Sequence, residues 1–435
     1  MINITSLILT LGVVSICYGA YTERVLLISM DGFRYDYLDT ISNLTNFGYM
    51  KSTGTHAPYI NNTFITLTFP THYSMSTGLY SESNGMVSNY MFDPLDNTSF
   101  GMGNVEPKWW DGGEPIWTTV MKQNKTSATF FWPGSDVPIH GVLPKYYFPY
   151  NKTIPFDDRI DTAVNWLKEG INFATLYFNE PDKQGHDFGP ESNEVIEAVK
   201  YMDEIMGKIL DKLRQNDLLD STNIILVSDH GMAYTNRSMN IDLSKYVNIS
   251  THIEKIANYG AAMNFIPKAG MEDAVYNILK DAHPKMTAYK KEDIPEEWHY
   301  KNHHRILPML LVCDEGWQVV PDESWIRNVL GMHGWDNNLM SMKPFFIARG
   351  PNIKEDFVAE PFKSVDLYPL MTELLGLNPA PNNGTLEIVK SFLKDNPEMT
   401  SVTATPQLAT TQSSSSKIMT ETYSVVFVAT TLLLL

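Results

Sequence analysis

The stretch Arg24–Asp31, RVLLISMD, joins an unbroken apolar run to an acidic residue that follows it directly. A continuous apolar run of this length is typical of a parallel strand that is buried on both faces of a sheet. Three later runs have the same character: FATLYF at Phe173–Phe178, NIILV at Asn223–Val227 and PFFIA at Pro344–Ala348. We predict that all four are buried parallel strands.

Helical patterns lie between and after these runs. Apolar side chains recur on one helical face through Ser192–Gln215, and Ser192 is a suitable N-cap. Phe362–Leu375 predicts a second amphipathic helix, which Gly376 and Pro379 would end. This alternation predicts an α/β fold with a mainly parallel central sheet and helices on both faces. Ligands in such folds bind beyond the carboxyl ends of the strands.

The two ends of the chain predict export and attachment to a membrane. Residues 1–19 carry an apolar stretch followed by small residues, which favours a signal peptide over a buried N-terminal element. Residues 396–416 form a Ser/Thr-rich stalk with too few apolar side chains to pack. Residues 417–435 end in SVVFVATTLLLL, typical of a glycosylphosphatidylinositol (GPI) signal, with a short transmembrane anchor as the alternative. We therefore expect the protein on the extracellular face of the cell surface.

Composition agrees with an exported protein and excludes one class of partner. The net charge of −17 argues against binding to a nucleic-acid duplex. Cys17 lies in the predicted signal, and Cys313 lies in an apolar run and is predicted to be a buried thiol. The sequence makes no prediction of the oligomeric state. Sequons predict a glycoprotein, and they begin at Asn43, Asn61, Asn97, Asn124, Asn151, Asn236, Asn248 and Asn383.

Acidic and imidazole side chains follow the predicted strands or lie in glycine-flanked turns. Such side chains are ligands for zinc and similar cations. Two divalent cations about 3.5–4 Å apart can stabilise both the attacking and the leaving oxygen of an in-line displacement. We expect Gly231 to bend the chain, and Gly331 and Gly334 to let the backbone approach closely. The predicted metal ligands are Asp31, Thr68, Asp182, His186, Asp229, His230 and His333.

Thr68 is the predicted nucleophile of this site. A threonine hydroxyl needs a base or a metal to activate it. His72 is the neighbouring imidazole that could act as a base, and we favour activation by the metal. Thr66 is a rival nucleophile, because spacing alone does not separate it from Thr68.

Several long segments carry a family resemblance. They are LLISMDGFRYDYL, TLTFPTHYSMSTGLYSESNGM, GEPIW, FFWPGSDVPIHG, PDKQGHDFGP, VSDHGM and GMHGWDN, in order from about Arg24 to Pro381. The chain resembles the short, membrane-anchored type of the ectonucleotide pyrophosphatase/phosphodiesterase family, within the alkaline phosphatase superfamily. The resemblance implies an alkaline-phosphatase-like catalytic domain at residues 20–395. It also implies cleavage of nucleotides and dinucleotides to nucleoside 5′-monophosphates through a phospho-threonine at Thr68.

The resemblance further implies two Zn²⁺ ions and a set of substrate contacts. Asp182, His186 and His333 would hold one ion. The other ion would be held by Asp31, Thr68, Asp229 and His230. Asn89 would donate to the bound phosphate, and Phe69 and Tyr150 would form an aromatic slot for the base.

The chain departs from the family pattern near the nucleophile. Leu67 and Tyr90 stand where nucleotide-cleaving relatives can carry lysine, and Thr71 stands in place of asparagine. Loss of the lysines weakens the expected hold on a triphosphate, whereas a diphosphate bridge remains a plausible substrate. The alternatives are a choline-phosphoester phosphodiesterase, which Phe69 disfavours, and a catalytically silent receptor or adhesion ectodomain.

Overall fold

In the computed structural model, which describes residues 22–394, three of the predicted strands lie side by side at the centre of the main sheet. They are β1 (Val25–Met30), β8 (Phe173–Phe178) and β9 (Asn223–Val227), and β1 pairs in parallel with both of the others. The strands are β1 Val25–Met30, β2 Thr55–Ala57, β3 Ile60–Asn61, β4 Met91–Asp93, β5 Thr98–Phe100, β6 Ser127–Phe130, β7 Tyr146–Phe148, β8 Phe173–Phe178, β9 Asn223–Val227, β10 Ala233–Tyr234, β11 Asn240–Asp242, β12 Ile253–Ile256, β13 Ala262–Pro267, β14 Met286–Lys290, β15 Met309–Cys313, β16 Gln318–Val320, β17 Gly331–Met332, β18 Phe346–Arg349, β19 Phe357–Val358 and β20 Phe362–Lys363.

The main sheet has eight strands in the order β19-β2-β18-β9-β1-β8-β6-β7. The five adjacent strands β9, β1, β8, β6 and β7 are all parallel to one another. The prediction of a parallel strand at Pro344–Ala348 is wrong, because β18 begins at Phe346 and runs antiparallel to β9. A short apolar run that is buried on both faces has the same composition in either direction, so the sequence did not reveal this one.

Helices cover both faces of the main sheet. Alternate side chains of β1 enter different cores: Leu27 packs on one side and Ile28 on the other. The predicted α/β fold is thereby confirmed. The helices are α1 Tyr37–Thr40, α2 Thr45–Ser52, α3 Thr68–Thr77, α4 Ser81–Asn84, α5 Ile116–Lys122, α6 Phe156–Lys168, α7 Asp182–Phe188, α8 Asn193–Gln215, α9 Ile249–His252, α10 Glu272–Leu279, α11 Leu367–Leu374 and α12 Leu386–Lys390.

The two predicted helices have different outcomes. Helix α8 lies where expected, and the Ser192 hydroxyl caps it by accepting from the Val195 amide at 3.2 Å. The predicted helix at Phe362–Leu375 is wrong over its first five residues. There a short strand and a 3₁₀ turn precede α11. The Asp366 carboxylate accepts from the amides of Lys363 and Thr385, which fixes the turn before the helix begins.

A second, smaller sheet packs on its own core and supports a loop of the site. It is antiparallel, with the order β12-β13-β15-β14, and α10 buries Val275 and Leu279 beneath it. Cys313 ends β15 as a buried free thiol, as predicted, and burial raises the pKa of that thiol.

The predicted signal peptide, stalk and anchor lie outside the described residues. Within residues 22–394, no helix has both the length and the apolar character needed to cross a membrane.

Candidate active site

The three central strands bring three carboxylates to one edge of the sheet. Asp31 follows β1, Asp229 lies just beyond the end of β9, and Asp182 opens α7 after β8. The Asp182 amide donates to the Asp31 carbonyl at 3.0 Å, and the Gly32 amide donates to Asp229 Oδ1 at 3.1 Å. A Cβ at Gly32 would lie 2.7 Å from the Asp182 Cβ, so this glycine allows the close approach.

The imidazole rings of His186, His230 and His333 are oriented by the same kind of hydrogen bond. Each of them places Nδ1 against a backbone carbonyl, which can only accept, so Nδ1 carries a proton and Nε2 is the nitrogen that faces the carboxylates. The pairs are His186 with Gly331 O at 2.8 Å, His230 with Gly231 O at 2.9 Å, and His333 with Thr66 O at 2.8 Å. Burial acts to lower the pKa of His230, but Asp229, Asp31 and Asp182 outweigh it and raise that pKa to about 10, so a cation bound at this Nε2 would have to displace a proton.

The Nε2 atoms meet the carboxylates in two groups whose ligand atoms all lie within 4.8 Å of one another. One group is Asp31, Asp229 and His230, and the other is Asp182, His230 and His333. His230 therefore belongs to both groups. His186, expected in the second group, places its Nε2 3.4 Å from Asp182 Oδ1.

Each carboxylate of these groups has one oxygen without a hydrogen-bond partner among the described residues. Asp31 Oδ1 and Asp182 Oδ1 are buried and accept no hydrogen bond from the described residues, and Asp229 Oδ2 is buried with only imidazole nitrogens near it, His230 Nε2 at 3.0 Å and His72 Nδ1 at 3.4 Å. An unpartnered buried carboxylate oxygen is costly unless a cation neutralises it. The donor set of carboxylate oxygens and imidazole nitrogens therefore fits divalent cations of the zinc type.

The electrostatics of the site show the same need for positive charge. Burial, together with repulsion from Asp229 and Asp182, raises the pKa of Asp31 well above its usual range. Burial, together with His230 and His186, lowers the pKa of His333 well below its usual value. A neutral His333 is the form that ligates a metal.

The structure separates the two rival threonines. Thr68 is the first residue of α3, and its Oγ1 lies 3.5 Å from His230 Nε2, beside both groups. The hydroxyl of Thr66 is fully buried and occupied, since it donates to the Trp335 carbonyl at 2.9 Å and accepts from the Gly334 amide at 3.0 Å. The geometry thus favours Thr68 as the nucleophile.

His72 does not contact the Thr68 hydroxyl in a way that would suit a base. Its Nδ1 donates to the Thr68 carbonyl at 2.8 Å, and its Nε2 lies 2.8 Å from Ser29 Oγ. Both ring nitrogens are therefore engaged in holding the backbone of the nucleophile against the sheet. His72 is therefore not placed to act as the base for the Thr68 hydroxyl.

Asn89 lies beside the predicted nucleophile, and a hydrogen bond to its side-chain oxygen fixes its orientation. Its Oδ1 accepts from the Phe69 amide at 2.9 Å, which leaves the Nδ2 group as a donor. The loop that carries Asn89 is held from the small sheet, because the Tyr300 hydroxyl donates to the Val87 carbonyl at 2.8 Å. Asn264 of β13 donates to that same hydroxyl at 3.0 Å.

The two predicted base-binding rings rest on different supports. Phe69 packs on Phe100 and Trp110, with ring centroids 6.1 and 5.8 Å away. Tyr150 is 57% exposed and meets Phe131 and Tyr177 edge-on. Across residues 22–394, no ring contact joins Phe69 to Tyr150.

Glycines near the site allow close backbone approach, as predicted for two of them. A Cβ at Gly331 would lie 2.2 Å from the Gly185 carbonyl oxygen, and Gly334 has a φ of +108°. Gly231 differs from the expectation of a bend. Its φ lies outside the left-handed region, and a Cβ there would lie 2.1 Å from the Ser341 carbonyl oxygen. Gly231 is thus required for close packing.

The sequence reasoning missed one polar residue that contacts the site. The hydroxyl of Tyr177, near the end of β8, donates to Asp31 Oδ2 at 2.6 Å. The only available signal was a tyrosine inside the apolar run FATLYF.

Comparison with known proteins gives one consistent picture. Residues 25–336 match the family model described as type I phosphodiesterase / nucleotide pyrophosphatase. Human ectonucleotide pyrophosphatase/phosphodiesterase family member 5 is 40% identical over 85% of this chain and 78% of its own. Mouse bis(5′-adenosyl)-triphosphatase is 41% identical over 86% of this chain and 82% of its own.

A solved structure agrees with this. The murine family member 5, an inactive threonine-to-alanine variant in complex with AMP, superimposes with a TM-score of 0.83 at 38% identity. The match covers 85% of this chain and all of the murine one. The family is metal-dependent and hydrolyses phosphodiester and pyrophosphate bonds. From its sequence, its fold and the ligand groups at the edge of its sheet, this chain belongs to the ectonucleotide pyrophosphatase/phosphodiesterase family and is a hydrolase.

Proposed function

We propose that the protein cleaves extracellular nucleotides and dinucleotides at a phosphodiester or pyrophosphate bond and releases a nucleoside 5′-monophosphate. The observation that carries the proposal is the convergence of imidazole Nε2 atoms and unpartnered carboxylate oxygens beside Thr68 Oγ1. The complex of a murine relative with AMP and the name bis(5′-adenosyl)-triphosphatase of another support the nucleotide substrate class.

Two Zn²⁺ ions are the proposed cofactors. Asp31, Thr68, Asp229 and His230 would hold one ion, and Asp182, His186 and His333 would hold the other, because the single Nε2 lone pair of His230 can serve only one of them. When bound, they stabilise negative charge on the attacking, leaving and equatorial oxygens. In the first step, Thr68 Oγ1 forms a bond to phosphorus while the bond to the leaving oxygen breaks, and the threonyl proton passes to solvent water. Asn89 donates from Nδ2 to an equatorial oxygen. Water then breaks the threonyl–phosphorus bond, which releases the monophosphate and restores the hydroxyl.

The base is proposed to lie between Phe69 and Tyr150. Stacking on an aromatic side chain contributes about 1–3 kcal/mol per base and tolerates any base. The absence of lysine at Leu67 and Tyr90 removes two cations from the expected path of a polyphosphate. We therefore propose dinucleotides and diesters as better substrates than nucleoside triphosphates.

The decisive experiment compares two chromogenic esters on the purified protein. We expect rapid hydrolysis of the p-nitrophenyl ester of thymidine 5′-monophosphate and little hydrolysis of p-nitrophenyl phosphorylcholine. Thr68→Ala should abolish turnover and keep the bound metal, whereas Thr66→Ser should retain activity. Preference for the choline ester would reject the nucleotide proposal in favour of the lipid-headgroup alternative. Full metal content with no turnover of either ester would favour a silent ectodomain.

We also propose that the protein acts at the cell surface through a C-terminal anchor. The apolar ends of the sequence and the sequons support this. Treatment of expressing cells with a phosphatidylinositol-specific phospholipase should release the activity if the anchor is of the GPI type. Retention on the membrane would instead favour the transmembrane alternative, and secretion without treatment would reject the anchor.

A further inference from the structure

Tyr177 lies in the buried strand β8, and its hydroxyl contacts the carboxylate of Asp31. The side chain is only 8% exposed, and its hydroxyl donates to Asp31 Oδ2 at 2.6 Å. The other oxygen of that carboxylate, Oδ1, has no hydrogen-bond partner among the described residues and faces His230 Nε2 at 3.5 Å. The hydrogen bond therefore fixes the rotation of the carboxylate and decides which oxygen is left for a cation.

The ring of Tyr177 also contacts two other parts of the site. It meets Tyr150 edge-on, with centroids 6.0 Å apart and an interplanar angle of 74°. It meets His72 in the same manner at 5.6 Å and 66°. Since His72 holds the carbonyl of Thr68, one ring lies between the proposed base slot, the backbone of the nucleophile and a metal ligand.

The main chain of Tyr177 is itself held in place by Arg159. That guanidinium is fully buried, and its Nη1 donates to the Tyr177 carbonyl at 2.9 Å. It also lies over the ring of Phe131, 5.0 Å from the centroid. Phe131 has a φ of +62° and supports the other side of Tyr150 at 5.1 Å. Arg159 thus fixes both rings on which Tyr150 rests.

We propose that Tyr177 is a positioning residue with two separable functions. Its hydroxyl orients Asp31 for the cation, and its ring supports Tyr150 at the base slot. The second function rests on the proposed nucleotide substrate, whereas the first requires only the metal centre. Tyr177→Phe removes the hydroxyl and keeps the ring, and Tyr177→Leu removes both.

The first test measures metal affinity without any turnover. The metal-free protein is titrated with Zn²⁺ in competition with a chromophoric chelator. We expect Tyr177→Phe to weaken binding on the order of 10–100-fold, because outer hydrogen bonds to metal ligands have effects of this size. The matched control is Tyr368→Phe, since the Tyr368 hydroxyl is also buried and hydrogen-bonded, to Thr119 at 2.7 Å and the Ala380 amide at 3.0 Å. This control should bind Zn²⁺ as the wild type does.

The second test separates the ring from the hydroxyl. Both Tyr177 variants are assayed at saturating Zn²⁺ with the thymidine ester and with bis(p-nitrophenyl) phosphate, which has no base. We expect Tyr177→Leu to raise KM for the thymidine ester relative to Tyr177→Phe, with no such difference for the baseless diester. A general loss of folding would change both substrates together.

Each outcome decides one part of the proposal. Wild-type Zn²⁺ affinity in Tyr177→Phe overturns the role of the hydroxyl. Equal changes of KM for both substrates in Tyr177→Leu overturn the role of the ring. If the wild type cleaves only the baseless diester, the nucleotide proposal and the role of the ring both fail. The Zn²⁺ titration still decides the role of the hydroxyl in that case.

Discussion

Within residues 22–394, the cluster of acidic and imidazole side chains at the edge of the main sheet can be compared with a second such cluster beside the small sheet. In the second cluster, Asp93 Oδ2 meets His304 Nε2 at 3.0 Å and Arg305 Nε at 3.1 Å, and Oδ1 accepts from the Leu95 amide. Arg305 donates further to three backbone carbonyls. By contrast, each carboxylate of the first cluster keeps one buried oxygen without a hydrogen-bond partner among the described residues, and the groups nearest to these oxygens are imidazole Nε2 atoms.

The difference shows how to tell a ligand set from a structural ion pair. Burial works to raise the pKa of Asp93, but hydrogen bonds from Leu95, His304 and Arg305 outweigh it and lower that pKa. At Asp31, burial and like charges act in the same direction and raise the pKa. The Asp93 cluster is satisfied by the protein alone, whereas the Asp31 cluster requires an external cation.

The largest expected effect is at Thr68. Thr68→Ala should lower turnover of the thymidine ester by about 10⁴-fold or more, because it removes the proposed nucleophile. Metal analysis of the dialysed variant should give nearly the wild-type content, since all carboxylates and imidazoles remain. Substantial residual turnover would mean that another group attacks the phosphorus.

Replacing Asp31 or Asp93 by asparagine tests directly whether the two clusters differ in their need for a cation. Asp31→Asn should lose most Zn²⁺ binding while the metal-free protein keeps or gains stability, because a repelled buried charge is removed. Asp93→Asn should keep Zn²⁺ binding and lose about 1–3 kcal/mol of unfolding free energy, because it weakens a paired buried group. Chelator competition and urea unfolding of both metal-free variants measure this. The reverse pattern would break the distinction between the clusters.

Loss of a stacking ring should have a smaller, substrate-specific effect. Tyr150→Ala should raise KM for the thymidine ester by a factor that corresponds to about 1–3 kcal/mol. Hydrolysis of bis(p-nitrophenyl) phosphate, measured in parallel, should change little. Phe148→Ala is a matched control, since that ring is also partly exposed and packs on Phe130 and Trp166 away from Tyr150. An equal loss with both substrates would exclude a base slot at Tyr150.

The smallest expected effect is a pH dependence at His303, whose ring stacks on that of His304 in the Asp93 cluster, with centroids 4.2 Å apart. Burial, together with His304 and Arg305, lowers the pKa of His303 to about 4. The unfolded chain then binds this proton more readily, so the stability contribution is complete above about pH 6.5 and is lost as the pH falls towards 4. We expect a loss of about 1 kcal/mol between pH 7 and 5 after allowing for solvent screening.

The expected loss of stability is checked by urea unfolding of the metal-free wild type and of the His303→Gln variant at pH 7 and pH 5. The loss between pH 7 and 5 should be smaller in the variant, and an equal loss in both proteins would assign the effect to other groups. His303 does not belong to either metal-ligand group, so the measurement is independent of the metal centre.

Sequence reasoning worked where the signal was local. The runs before Asp31 and Asp229 are strands because unbroken apolar segments suit a sheet that is covered on both faces. It failed for the direction of β18 and for the residues before α11, where pairing and a carboxylate-stabilised turn decide the structure.

For the candidate site, too, the sequence predicted the local features and did not reveal the long-range contacts. Strand ends and glycine-flanked turns predicted which acidic and imidazole side chains lie together. The choice of Thr68 over Thr66 required the hydrogen bonds of Trp335 and Gly334. The contact between Tyr177 and Asp31 joins residues 146 positions apart, and such a contact leaves no local pattern in the sequence.

The parallel pairing of β1 with β8 and β9 also has a kinetic consequence. Residues near position 30 acquire their neighbours only after segments near 175 and 225 have been synthesised, and the last imidazole arrives with residue 333. Pairings over such long separations form slowly. A nascent or truncated chain that ends before this imidazole therefore has an incomplete centre, so the appearance of hydrolysis should report the completion of folding and not its onset.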